Sequence, residues 1–387
     1  MDRRKFIEMS VAAGTAVMLR PSEVFAKDNS RRKSVPAWAS PGLAADRESY
    51  SIVILGDTHY DASSPDVYHS DYNEPTEWLN RVQRAEFDRN GRMWSTRCPK
   101  MLERAARLVS DDTALVMQTG DLIQGDCGNP AVHRKMLDDV MNYFKSSFGS
   151  LPFVTVCGNH DIRGTGAQDA YAQYMPARMS AELGIPVTGT TFHFNVGPDA
   201  FVVIDFNNPR EEEILRELEA TAGARYTFVF IHGPLMPYDG GSCRWFLYGN
   251  KKHTELRRRL RKEFAGRNVI CLCGHTHRIE LADWFGDGGR ITQFTMNSVW
   301  SADELAQLTV DARGAAQYGI LRNNQILDNG DKPKDETALF DEYRDGLKRY
   351  LHAAGAGSFK LNVSPYGITV DFYGGASETV SETFVLR

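Results

Sequence analysis

Short apolar runs alternate along the chain with stretches whose apolar residues recur every three or four positions. Five runs, at 51–55, 114–119, 152–157, 226–231 and 268–273, are rich in β-branched and aromatic residues. Runs of this length and type predict buried strands. Between them, residues 100–109, 131–144, 211–218 and 251–264 carry the helical period. Strand–helix alternation predicts an α/β core, with working residues gathered beyond the carboxyl ends of the strands. Residues 60–97 break the alternation. They hold Tyr60, Tyr68, His69, Tyr72, Trp78 and Trp94 and read as a long loop that walls or covers a substrate. Beyond 301, a helix is expected around 334–352. Strands follow, because Phe359, Leu361 and Val363, then Ile368, Val370 and Phe372, alternate with polar residues around a Pro365-Tyr366-Gly367 turn.

Composition narrows the class. The chain has 387 residues, 42% hydrophobic and 25% charged, which excludes a disordered or low-complexity protein. A net charge of −5 gives no global basic field to recruit nucleic acid. No apolar run reaches the ~18–20 residues that span a bilayer. The opening Met1-Asp2-Arg3-Arg4-Lys5-Phe6-Ile7, the weakly apolar residues 11–19 and the ending Val24-Phe25-Ala26 have the plan of an export signal. Its paired arginines resemble a bacterial twin-arginine leader. The expectation is a signal peptide at 1–26, a Ser/Pro-rich linker at 27–48, and a periplasmic or secreted protein delivered by the twin-arginine machinery. Of six cysteines, Cys157, Cys271 and Cys273 fall in strand-like runs and read as buried thiols. Cys98 and Cys127 are a candidate bridge between loops.

Each apolar run ends in unusual chemistry. The ends read Gly56-Asp57-Thr58-His59, Gly120-Asp121, Gly158-Asn159-His160-Asp161, His232-Gly233-Pro234 and Gly274-His275-Thr276-His277. Asp57 with His59, and His275 with His277, are spaced i, i+2, so in extended backbone each pair shares a face. Mixed imidazole and carboxylate donors suit Zn, Fe or Mn better than Ca or Mg. Seven donors are too many for one ion and about right for two that share a carboxylate. Two such ions form a clamp for displacement at phosphorus.

This ordered series, over 51–277, resembles the calcineurin-like metallophosphoesterase family. The resemblance implies a four-layer sandwich of the α/β (α+β) class, with two mixed β-sheets flanked by helices and a C-terminal β-strand extension. It implies a catalytic domain at 49–300, with 301–387 completing or covering the sandwich. It implies a metal-dependent phosphoric ester hydrolase. Asp57, His59, Asp121 and His277 would bind one divalent or trivalent transition-metal ion (Mn, Fe or Zn). Asp121, Asn159, His232 and His275 would bind a second. A water between the two cations would be the nucleophile. His160, oriented by Asp161, would serve the leaving group, and Arg163 would contact phosphate. Purple acid phosphatases carry Tyr three residues after the bridging Asp; here Gln124 stands there. A small phosphate mono- or diester is the expected substrate, with no extended nucleic-acid surface. Its identity and the oligomeric state stay open, with specificity expected from 60–97, 233–250 and 297–301. The alternative is a non-catalytic metal- or ligand-binding protein on the same fold. Arg257, Arg258, Arg259, Arg261 and Lys262 flank Leu256, Leu260 and Phe264 at helical spacing, which predicts a solvated helix face.

Overall fold

All five apolar runs become strands within two sheets. The computed structural model describes residues 43–44, 46–239, 253–298, 307–323 and 336–387. The expected leader, most of the linker, Cys243, and Trp245, Phe246 and Tyr248 lie outside these residues. In chain order the strands are β1 Tyr50–Leu55, β2 Thr113–Gln118, β3 Phe153–Thr155, β4 Phe192–Val196, β5 Asp199–Ile204, β6 Thr227–Ile231 and β7 Ile270–Cys273. There follow β8 Ile279–Gly286, β9 Gly289–Thr295, β10 Thr309–Arg313, β11 Leu347–Ala354, β12 Gly357–Ser364, β13 Gly367–Gly374 and β14 Glu382–Val385. The helices are α1 Glu77–Thr96, α2 Cys98–Arg107, α3 Pro130–Phe148, α4 Ala167–Leu183, α5 Glu211–Glu219, α6 Thr254–Gly266 and α7 Glu336–Arg344.

Both sheets are mixed. One has the order β14-β13-β12-β1-β2-β3, the other β10-β11-β8-β9-β7-β6-β5-β4. β1, β2 and β3 run parallel, as do β5, β6 and β7. β12 lies antiparallel against β1, pairing Tyr50 with Val363 and Leu55 with Ser358. The ligand-bearing ends of the parallel strands therefore open on one side of each sheet.

Strand faces explain the layers. In β5 and β6, Phe201, Val203, Phe228 and Phe230 join the core between the sheets. Their neighbours Val202, Ile204, Val229 and Ile231 pack outward with Ile214, Leu218, Leu260 and Phe264 of α5 and α6. Burial on both faces is why these strands read as continuous apolar runs. Across the sandwich, the Phe294 and Phe359 rings lie 6.4 Å apart. Helices flank both sheets. α3 starts where Asn129 Oδ1 accepts the Ala131 and Val132 N–H groups and Pro130 takes the first turn.

Three expectations change. Residues 60–97 are not a long loop: α1 fills their second half, capped by Thr76 Oγ1 on Leu79 N–H. Its buried side is Phe87, Asn90, Gly91 and Trp94, too polar for the apolar period to register. The helix expected at 334–352 ends at Arg344, and Leu347–Ala354 is β11, paired with β8. Leu347, Tyr350 and Leu351 are spaced i, i+3, i+4, which mimics a helix. Leu43 bridges to Val196, so the end of the expected linker is bound to β4.

Candidate metal centre

Local backbone strain brings the strand-end residues together. Non-glycine residues with left-handed φ include His59 (45°), Asp121 (50°), Asp126 (56°), His275 (73°) and His277 (52°). Such a conformation costs about 1–3 kcal/mol per residue and gathers at functional sites. Gly158 and Gly274 serve close approach: a Cβ on Gly158 would overlap Asp121, and one on Gly274 would overlap the Asp57 carboxylate.

Two donor groups result. Asp57, His59, Asp121 and His277 place one ligand atom each within 4.8 Å of one another, and Asp121, His232 and His275 do the same. Asp121 belongs to both. Its Oδ2 lies 3.2 Å from His232 Nε2 and 3.7 Å from His59 Nε2. Asn159, the seventh expected donor, has its Oδ1 buried without a hydrogen-bond partner. A buried, unsatisfied amide oxygen is costly, and a cation would satisfy it.

The imidazoles also fit cations. His59 Nε2 and His277 Nε2 stand 3.0 Å apart, and His275 Nδ1 and His232 Nε2 stand 3.2 Å apart. At most one proton fits between each pair, so lone pairs face inward. Burial, with His160 nearby, pushes the His59 pKa well down. Burial and His232 do the same to His275. At His232, burial is outweighed by Asp121 and Asp57, which hold the pKa up at about 9. Burial would raise the Asp121 pKa, but the surrounding imidazoles hold it well below the ordinary range.

Supporting residues set the tautomers. The Thr119 carbonyl accepts from His232 Nδ1 at 2.7 Å, which leaves Nε2 as the donor atom. His59 Nδ1 donates to Gln124 Oε1 at 3.2 Å. Gln124 is itself oriented by α1: Asn90 Nδ2 donates to its Oε1, and its Nε2 donates to Glu86 Oε1. The insertion therefore buttresses a metal ligand. Behind the His275–His277 turn, Thr276 donates to buried Glu280, and His352 lies 3.3 Å from both Glu280 Oε1 and Asp239 Oδ2. Burial, with Asp239, pushes the Glu280 pKa up to about 8.

His160 and Arg163 border the donor groups, but Asp161 does not orient His160. The Asp161 carboxylate accepts the N–H groups of Ile123 and Gly158, bracing the two loops. The partner of His160 Nδ1 is the Gln124 carbonyl at 2.9 Å. Arg163 Nη1 lies 3.1 Å from His160 Nε2. Arg163 Nε and Nη2 both donate to Asp126 Oδ2, and the Asp126 N–H donates to the Arg163 carbonyl at 2.7 Å. Buried His69, paired with Asp61 at 3.1 Å, stands 3.3 Å from the Asp126 carbonyl. Asp126, Glu86, Asn90 and Asp61 were not among the expected site residues. The only signal was proximity: Asp126 follows Gly120-Asp121 and Asp61 follows His59. Cys98 and Cys127 are both free thiols.

Similarity to known proteins is distant in the solved structures and plain in one family model. No curated protein sequence matches the chain. Among solved structures, PhoD is similar at 11% identity, covering 89% of this chain and 70% of that one, with a TM-score of 0.49. A dimetal phosphatase from Danio rerio is similar at 12% identity, covering 88% and 99%, with a TM-score of 0.46. GAP50, the anchor in the inner membrane complex of Plasmodium, is similar at 12% identity, covering 88% and 89%, with a TM-score of 0.44. The family model described as calcineurin-like phosphoesterase matches residues 50–278, more than half of the chain and all five motif-bearing loops. The chain belongs to the calcineurin-like phosphoesterase family.

Proposed function

We propose that the chain is an exported, two-metal phosphoesterase that hydrolyses a small phosphate mono- or diester. The observation that carries this reading is Asp121, whose carboxylate is common to both donor groups. Asp57, His59, Asp121 and His277 hold one cation; Asp121, Asn159, His232 and His275 hold the other. Bound Mn, Fe or Zn would supply Lewis acidity and a water acidic enough to react near neutral pH. The chain's own residues do the rest. His277, with 45% of its side chain exposed, marks the open side of the cluster. His160 donates its Nδ1–H to the Gln124 carbonyl, so Nε2 of the neutral ring accepts from Arg163 Nη1 and holds that guanidinium where it stabilises charge on the leaving oxygen. Arg163 sets a fixed positive charge beside Nε2 for a phosphoryl oxygen. Export is read from Arg3-Arg4, the residues 11–19 and Ala26.

The test loads purified protein with Mn, Zn or Fe, counts bound metal by mass spectrometry, and compares kcat/KM on a chromogenic diester and its monoester. Asp121→Asn is expected to lose metal and turnover together. Wild-type turnover in that variant would remove Asp121 as the bridge. Metal-loaded protein inactive across a broad panel of phosphate esters would favour the binding-protein alternative.

A further inference from the structure

α1 has two faces with different partners. Its inner face is tied to the site. Asn90 donates to Gln124, Gln83 donates to Asp126, and Trp94 Nε1 donates to the Thr58 carbonyl at 2.8 Å. At 100° per residue, the opposite side presents Trp78, Arg81, Val82, Ala85, Arg89 and Arg92. All six are exposed, Trp78 at 60% and Val82 at 47%, with Leu79 at 37% beside them. An exposed tryptophan beside two exposed aliphatics is unusual on a helix that packs on a core. The guanidinium groups of Arg81, Arg89 and Arg92 make no ion pair among the described residues. No acidic residue shares the outermost strip; Glu77 and Asp88 lie on its flank. Apolar residues in the first two turns, with unpaired arginines among and beyond them, match the layered chemistry of a bilayer surface. Tryptophan and aliphatics enter the headgroup–acyl boundary while arginines reach lipid phosphates.

We propose that the outer face of α1 docks on an anionic phospholipid surface. The apolar residues select lipid over a purely polar polyanion, and the unpaired arginines select anionic over zwitterionic lipid. Because the same helix holds Gln124 and Asp126, docking fixes the motif loops at 56–59 and 120–126 to the lipid-bound element.

The test is co-sedimentation of the full chain with vesicles of pure phosphatidylcholine, and of phosphatidylcholine containing phosphatidylglycerol. It needs no turnover, so it stands or falls apart from the phosphoesterase reading. Binding is expected to the anionic vesicles and to weaken with salt. Each of Arg89→Gln and Arg92→Gln should lower affinity about fivefold. Trp78→Ser should lower it by about tenfold. These side chains are exposed, so unfolding temperatures should hold, and circular dichroism checks that. Equal binding to both vesicle types, no binding to either, or unchanged binding of Trp78→Ser and Arg89→Gln would overturn the proposal. So would light scattering that shows wild type as a dimer and Trp78→Ser as a monomer, since the face would then be a contact between copies.

Discussion

Replacing Asp126 by asparagine removes one charge and leaves the backbone undisturbed, because asparagine tolerates the left-handed φ of 56° at that position. The carboxylate receives two N–H groups of Arg163 on a single oxygen. Asp126 is almost fully buried, while the Arg163 side chain is 36% exposed. A hydrogen bond to a charged group contributes about 1.5–3 kcal/mol. Discounting for solvent at the arginine leaves about 1–2 kcal/mol. If that energy holds Nη1 beside His160 Nε2, its loss lowers kcat/KM by about 5- to 30-fold. Inorganic phosphate should inhibit more weakly by a similar factor. Bound metal should stay at the wild-type level, since no metal ligand contacts Asp126. The assay is steady-state hydrolysis with phosphate inhibition, beside a metal count on the same sample. Full activity in Asp126→Asn, or lost metal with intact phosphate inhibition per metal-loaded site, would refute the reasoning.

Two further outcomes are expected. Gln124→Ala frees His59 Nδ1 from its acceptor, so metal affinity should fall by about 10- to 100-fold in a manganese titration; wild-type affinity would show that the ring is held by packing alone. Glu280 is raised to about 8 by burial, so its contribution to stability is fully present below its unfolded value of 4.5 and is lost as pH rises through 8. His352 is also raised, with Asp239 and Glu280 outweighing burial, and acts in the same direction as pH rises past its folded value. The unfolding temperature should therefore fall as pH rises from about 4.5 to about 8, and Glu280→Gln should flatten that fall; parallel curves for the two proteins would exclude Glu280 as the source.

The donors were legible because each chemical group sits directly after an apolar run, and both strand and ligand leave local marks. Four expected helices appear within a few residues of their positions, for the same reason. The supporting residues left no such mark. Asp126 and Glu86 act through partners 37 and 38 positions away, Arg163 and Gln124, and nothing in their neighbours announces it. α1 was missed because its inner face is chosen for hydrogen bonding, with Gln83, Glu86 and Asn90 where a core helix would show leucines. Asp161 was read by its position next to His160. In the fold its side chain turns the other way, to backbone N–H groups that neither neighbour reveals.

The placement of β12 bears on how the molecule is made. The strand that delivers Asp57 and His59 lies between β2, about 60 residues later, and β12, about 300 residues later. Non-local pairing of this kind slows folding. During synthesis, β1 emerges early and waits with an open edge until residue 363 has left the ribosome. The first half-site is thus completed by a segment translated about 300 residues after its ligands. A nascent chain is exposed to edge-to-edge association throughout that interval, and shortening the interval by circular permutation between β12 and β1 is a direct route to a faster-folding form.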